Sequence, residues 1–435
     1  MATQTLANFD ALLKDVYRGP AQEMLNQETY LIDQLDRRSP QDMGGTLMND
    51  PFRSGGRRLI FPVHSGRNRG RGSITDGGTL PVAGKQSFLD GIVSMRYHTQ
   101  AIELTDMVTK HAAGDNEGSF ASALTTEIEG AVTDLRKDIN RQAYGTGDGV
   151  LANCTASQTS ATISVDSTQY IAVGDTVDVL TKSNGTVKGS GLTVTAVATT
   201  GTAGSSTQGN GTITLSSSVT VTNADSVYVS GNRNNEMDGL RNAIGTTGRT
   251  LHSINSSTAG NGFWDPIVKS PTPTFGNISE DIAIQLLQGI RQGGNGPADV
   301  IVTTLGVFRR LAASYVSQKR YNDAQSTKIT GGWSAINVAA GADPTPVVAD
   351  VDAPIGWAFA LQKRSIAWAE LSTPDWLKAP DGTGSTLHLK DGATAGTKVA
   401  AWQAWYGWYA TLVFTAPNRN GALSQLADDN PVPRL

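Results

Sequence analysis

Residues 51 to 95 constrain the fold more than any other stretch. They contain RRLIFPV, then the glycine and arginine run HSGRNRGRGSITDGG at 64 to 78, then TLPVAGKQSFLDGIVSM. Two extended limbs around a glycine-rich tip predict a long hairpin. The limbs carry too few apolar residues for a core of their own, and an isolated two-stranded arm is marginal in water. Such a hairpin needs another surface to pair with or lie across.

Its tip carries Arg67, Arg69 and Arg71, and Arg57, Arg58 and Lys85 lie along the limbs, in a chain whose formal net charge is −4. Lys plus Arg, 35 in all, nearly balances Asp plus Glu, 39, so any basic function is local. An RNA-binding arginine and glycine tail repeats over many residues and ends free, whereas this run is short and enclosed by strand limbs. A tip reaching a partner's carboxylates fits better, because the guanidinium fork makes paired bonds to them.

Ahead of the hairpin, Leu12, Leu13 and Tyr17, then Leu31, Ile32 and Leu35, predict two small amphipathic helices on an arm, each too short to fold alone. After it, Phe120, Leu124, Ile128, Ala131 or Val132, Leu135 and Ile139 recur every three to four positions and predict a helix over 118–144, about 40 Å long. Composition then changes abruptly. Between 155 and 231 the runs TISV, DTVDVL, LTVTAV, TITL and SVYVSG alternate with turn-formers such as Asn184-Gly185, which predicts a small all-β insertion, barrel or sandwich. From 270 to 395 the reading is α/β: a helix in ISEDIAIQLLQGIRQGG, a buried strand in ADVIVTT, a second helix capped by Thr304, and a strand over GWAFALQKRSIAWAEL at 356–371. The run VAAWQAWYGWYATLVFTAP lacks clean alternation, so it predicts a strand covered on both faces, with Trp402, Trp405 and Trp408 as packing residues rather than a stacking platform for bases.

Nothing in the sequence supports an enzyme. The segment GTLPVAGK lacks phosphate-loop spacing and has Gln86 where a magnesium-binding hydroxyl is needed. The five histidines have no metal-ligand spacing, no nucleophile elbow occurs, and the single Cys154 excludes an internal disulfide and fits a reducing compartment. No signal peptide, no apolar run of membrane-spanning length and no cofactor motif is evident.

This order of segments resembles that of the major capsid proteins of tailed double-stranded DNA bacteriophages, whose fold is called Hong Kong 97-like. The resemblance spans nearly the whole chain. It is carried by GRRLIFPVHSGRNRGRGSITDGGTLPV as the extended loop, FASALTTEIEGAVTDLRKDINRQAYG as the spine helix and AWYGWYATLVFTAPNRNGAL as the returning strand. It implies an α+β fold divided into an N-terminal arm (1–50), extended loop (51–95), peripheral domain with its spine helix (96–153), β insertion domain (154–232), connector (233–270), axial domain (271–397) and the peripheral domain's return strand with the C-terminus (398–435).

The resemblance also implies self-assembly as hexamers and pentamers into an icosahedral shell around double-stranded DNA, without sequence-specific DNA binding. The loop residues Arg57, Arg58, Arg67, Arg69, Arg71 and Lys85 would contact the adjacent subunit, and Leu12, Leu13, Tyr17, Leu31 and Leu35 of the arm would clasp it. Because the arm begins within a few residues of Met1, a separate scaffolding protein is expected and a large maturation cleavage is not. A portal and a decoration protein are further partners, and assembly in the bacterial cytoplasm yields a virion component. Crosslinking of Lys85 to Asn418 or Asn420 is not expected. An encapsulin-like compartment shell, another virion protein of tail or decoration type, and a carbohydrate-active enzyme using the β module for sugar binding are the alternatives, and the capsid reading leads them.

Overall fold

The computed structural model describes residues 29–35, 37–38, 58–107, 123–271, 275–294, 296–315, 336–340, 344–378, 387–391 and 397–429. Their elements are mixed α and β. The chain divides into two compact units, one holding the described parts of Thr99–Leu135 and Pro374–Gly407, the other those of Glu28–His98, Arg136–Thr373 and Trp408–Leu435.

In the first unit, strand β19 (His388–Asp391) pairs antiparallel with the first part of β20 (Lys398–Phe414), whose residues from Trp408 onward belong to the second unit, His388 opposite Gln403 and Leu389 opposite Trp402. Strand β4 (Arg96–Thr105) pairs on β20 as well. Helix α2 (Ala123–Ala143) contributes Ala131 and Ile128 to a small apolar cluster with Ile102, Ala404, Trp376 and Leu387. The helical period therefore predicts its buried face correctly, with Leu135 and Ile139 continuing the stripe. At 21 residues the described helix is about 30 Å long. Phe120, the first residue of the predicted stripe, lies outside the described residues.

Three parts of the second unit, beside the hairpin described below, hold most of its elements. A short helix α1 (Tyr30–Gln34) is followed by β1 (Arg37–Arg38), which runs parallel to β18 (Ile366–Trp376), Arg37 opposite Trp368. Strands β5 (Val150–Asn153), β6 (Gln158–Val165), β7 (Thr176–Thr181), β8 (Val187–Thr199), β9 (Gly211–Val221) and β10 (Asp225–Val229) form one antiparallel sheet in the order β5-β10-β7-β8-β9-β6. A bridge between Cys154 and Val165 joins its two ends and closes it into a barrel. Valine and isoleucine at alternate positions fill the interior (Ile163, Val177, Val179, Val194, Ile213, Val227), while threonine and serine face outward. The Asn184-Gly185 turn has Gly185 at φ 75°, a conformation that a side chain disfavours.

The third part is a mixed six-stranded sheet, β13 (Ile267–Lys269), β21 (Gly421–Leu423), β17 (Ala358–Leu361), β14 (Val300–Thr303), β16 (Pro344–Ala349) and β15 (Ile336–Ala339), in that order. Helices α3 (Glu280–Gly294) and α4 (Leu305–Ser314) pack Leu286, Leu287, Ile290, Val307 and Leu311 against it. Thr304 caps α4 as expected: its hydroxyl accepts from the Val307 amide and donates to Asp428 Oδ2 at 2.6 Å.

Two expectations change. The run at 356–371 is not one strand. A 3-10 turn at Lys363–Ser365 breaks it, so AFAL lies in the six-stranded sheet and the rest becomes β18, beside β1 and β20. The sheet is also completed by two strands from outside 271–397, β13 and β21, which run parallel with Ile267 opposite Gly421. Each is three residues long, too short for its periodicity to show.

Glutamine amides hold the barrel on the α/β part. Gln169 Nε2 donates to the Ala353 carbonyl at 2.7 Å while its Oε1 accepts from the Ile355 amide at 3.0 Å. Gln208 does the same with the Leu426 carbonyl at 2.8 Å and the Asp428 amide at 2.7 Å. Both side chains are buried. Replacing Gln208 by Ala leaves one backbone donor and one acceptor without partners, at about 1–3 kcal/mol each. Chemical denaturation should show a loss in that range, and Gln208→Glu, which sets a buried carboxylate oxygen against the Leu426 carbonyl, should cost at least as much.

Candidate functional site

The predicted hairpin is present. Strand β2 (Arg58–Gly66) pairs antiparallel with β3 (Ser87–Ser94), Arg58 opposite Ser94 and His64 opposite Phe88. Burial is confined to its root, where Leu59, Phe61, Gly91 and Val93 face the protein. Gly91 is required there: a Cβ would sit 2.5 Å from the Phe61 ring directly across the ladder.

His252 fastens this root. It lies in the turn between β11 (Thr250–Leu251) and β12 (Ile254–Asn255), where His252 and Ser253 both have positive φ, 50° and 67°. The Ile92 amide of β3 donates to its carbonyl at 2.8 Å. Its ring meets Phe61 edge-on at 6.0 Å, stacks on Phe414 at 6.1 Å, and accepts the Phe414 amide proton at Nε2, 3.0 Å away. An accepting Nε2 requires a neutral imidazole with its proton on Nδ1. Burial, reinforced by the nearby Arg249 charge, pushes its pKa down to about 3.

Beyond Gly66 the ladder ends, yet the limbs stay together. Asn68 Nδ2 donates to the Gly84 carbonyl at 3.0 Å and its Oδ1 accepts the Gly70 amide at 2.7 Å. The far turn closes from the Gly78 amide to the Thr75 carbonyl at 2.9 Å. Every residue from Arg67 to Phe88 is exposed. Among the described residues, Arg67, Arg69, Arg71 and Lys85 have no ion-pair or hydrogen-bonding side-chain partner. Beside them Ile74, Leu80 and Val82 are 50%, 75% and 88% exposed. A tip with free guanidinium groups and bare aliphatic side chains can bind an apolar surface bordered by carboxylates.

The other sequence-derived residues fall as follows. Arg58 is exposed on β2, and Arg57, Leu12, Leu13 and Tyr17 lie outside the described residues. Leu31 and Leu35 are 1% and 5% exposed, packed within their own chain, which leaves no side-chain surface there for a neighbouring subunit. Trp408 is buried, tilted on Trp368 at 5.3 Å, and its Nε1 donates to Glu370 at 3.2 Å. Trp402 and Trp405 are half-buried; the first donates to Asp106 at 3.3 Å and the second lies 5.5 Å from the His388 ring. The exposed aliphatics of the tip and the His252 contact were missed by sequence reasoning. Leu80 and Val82 could have been found from their place in a limb without a core, whereas His252 carries no local signal.

Among the described residues no group of three His, Cys, Asp or Glu side chains is placed to hold a metal ion, and no helix is long and apolar enough to cross a membrane. The buried Cys154 thiol is pushed up to about 12, chiefly by burial.

No family model matches the chain, and no curated protein matches it. Solved structures do. The chain of the cyanophage A-1(L) capsid asymmetric unit aligns over 98% of this protein and 100% of its own length, with a TM-score of 0.58 and 14% identity. A chain from the capsid of the native GTA particle aligns over 98% and 100%, with a TM-score of 0.51 and 8% identity. The holo-SrpI encapsulin complex of Synechococcus elongatus PCC 7942 aligns over 98% and 97%, at a lower TM-score of 0.45 and 8% identity. The first two establish the fold: it is the α+β fold of phage-type capsid chains, matched from end to end, as the Hong Kong 97-like resemblance implies.

The His252 geometry has a pH consequence. Its folded pKa of about 3 lies below the unfolded value of 6.5, so its contribution is complete above pH 6.5 and is lost as pH falls toward 3. His252→Asn, which tolerates the positive φ, should reduce stability at neutral pH. It should also flatten the stability slope between those limits by about 1.4 kcal/mol per pH unit, read from denaturation midpoints across pH.

Proposed function

We propose that this chain is a major capsid protein, assembling as hexamers and pentamers into an icosahedral shell that encloses phage double-stranded DNA. The observation that supports this most is the likeness in fold, over the full length of both chains, to the cyanophage A-1(L) and GTA capsid chains. The hairpin agrees with it. A monomer gains nothing from 22 consecutive exposed residues carrying unpaired arginines and bare aliphatics, whereas a shell subunit uses them on its neighbour.

In this reading the α/β part with α3 and α4 is the axial domain, α2 with β4 and β20 forms the peripheral domain, and the barrel is an outward-facing insertion. The role is structural, not catalytic. Near-balanced charge suits containment, since a strongly basic lining would hold the genome through many phosphate contacts and slow its release. Scaffolding, portal and decoration proteins are the partners, and the assembled chain is a virion component built in the host cytoplasm.

Cryo-electron microscopy of the protein expressed with and without the genes beside it tests this. Closed shells of the size that holds a genome are expected, with DNA inside mature particles. A monodisperse monomer under both conditions sinks the proposal, and small particles filled with protein favour a compartment shell. Replacing residues 67–86 by an Asn-Gly turn should leave the melting temperature within a few degrees of wild type, because this segment buries nothing, yet abolish particles on sucrose gradients.

A further inference from the structure

A cleft of about 450 Å³ lies where the barrel meets the α/β part. Asn153, Asp166 and Asn210 of the barrel form one wall, and Ile355, Trp357 and Gln425 form the other. The buried side chains of Gln169 and Gln208 pin these walls together. The volume falls within the range of about 300–1,000 Å³ usual for small-ligand sites. Arg241 lines the cleft as well, from the short helix Leu240–Ala243. Its guanidinium lies over the Trp357 indole, 5.4 Å from the ring centroid, and that indole stacks in turn on the buried Phe359 at 5.8 Å. Yet the charge has no carboxylate beside it: among the described residues Arg241 makes no ion pair, and its buried Nε has no hydrogen-bond partner. Arg249 shows the contrast, with Asp265 and the carbonyls of Asn242 and Trp264 around it. A half-buried guanidinium held against an indole without an anion is short of an acceptor.

The other polar groups of the cleft narrow the missing partner. Asp166 accepts from the backbone and side chain of Asn153, one at each oxygen and both at 2.7 Å, and Lys182 faces Asp148 at 3.6 Å. Among the lining residues Arg241 therefore carries the open charge. The side-chain amides of Asn210 and Gln425 have no partner among the described residues. Gln425 also has φ 58°, a left-handed conformation that a non-glycine residue keeps where its placement is used. One open cation near the carboxylates of Asp166 and Asp148 suits a single negative charge better than a phosphate dianion. Walls of Trp357, Ile355 and Phe275 suit an apolar body beside that charge. We propose that this cleft binds a carboxylate joined to an aromatic or branched apolar group, as a small free acid or as the last residue of a peptide chain. Arg241, with the Asn210 and Gln425 amides, receives the carboxylate, and Trp357, Ile355 and Phe275 enclose the apolar group. An occupant touches both walls and so braces the barrel on the α/β part.

Calorimetric titration of the full-length protein with N-acetylphenylalanine tests this. One saturable site per chain is expected, and N-acetylphenylalaninamide, which lacks the charge, should bind at least tenfold more weakly. Arg241→Met keeps a flexible side chain on the indole without the charge, so it should bind acid and amide alike while its melting temperature stays near that of wild type. Trp357→Leu should weaken both ligands. N-acetyl-Gly-Gly-Phe separates the two sources: tighter binding than the single residue marks the end of a peptide chain, equal or weaker binding marks a small free acid, and either supports the site. No saturation of the wild-type protein by the acid would overturn the proposal. So would equal affinity of acid and amide there, phenyl phosphate binding as tightly as the acid, or a folded Arg241→Met protein that still prefers the acid. Should Arg241→Met fail to fold, the wild-type comparison of acid with amide decides alone.

Discussion

The contact between His252 and the root of the β2–β3 hairpin holds the longest exposed run among the described residues in place. A two-stranded ribbon has no interior, so its direction is set only where it touches something larger. Here that contact uses one residue in three ways: a carbonyl for the Ile92 amide, a ring edge for Phe61 and a ring nitrogen for the Phe414 amide. Phe414 is the last residue of β20, so a single imidazole ties the base of the hairpin to the aromatic strand. The positive φ that places it there is a local strain held by the packing on every side.

The end of α2 shows how the body stays rigid behind this attachment. Arg141 lies between Asp138 and Glu236, Lys137 and Asn140 both reach Asp352, and the Tyr144 hydroxyl donates to Asp350. Burial opposes the Arg141 charge, but the two carboxylates outweigh it and keep the guanidinium protonated. Removing one member of such a cluster would strand the others as buried charges, which is why networks of this kind specify one arrangement of their surroundings. Charge inside the body is neutralised locally, and charge at the hairpin tip is left open.

Much of this was legible from patterns of residues. The period of Ile128, Ala131, Leu135 and Ile139 gave the buried stripe of α2, alternation of Val and Ile with Thr gave the barrel strands, and the poverty of apolar residues in the hairpin limbs marked them as unable to bury themselves. What stayed hidden were features created by distance in sequence. Strands β13 and β21 are each three residues long and acquire meaning only by pairing across 154 positions. Leu31 and Leu35 look like an arm seeking a neighbour, and only the fold shows their own chain covering them. Gln169 and Gln208 are unremarkable polar residues until the carbonyls and amides they satisfy are brought alongside.

The barrel begins and ends on adjacent strands. β5, where the chain enters, pairs directly with β10, where it leaves, Asn153 opposite Ser226. Paired strands lie about 4.8 Å apart, a gap that one tight turn can bridge. The host fold therefore holds the barrel as a cassette whose two ends already meet. Loops at its far end can vary in length without parting those two ends, while Gln169 and Gln208 fix its near side to the α/β part.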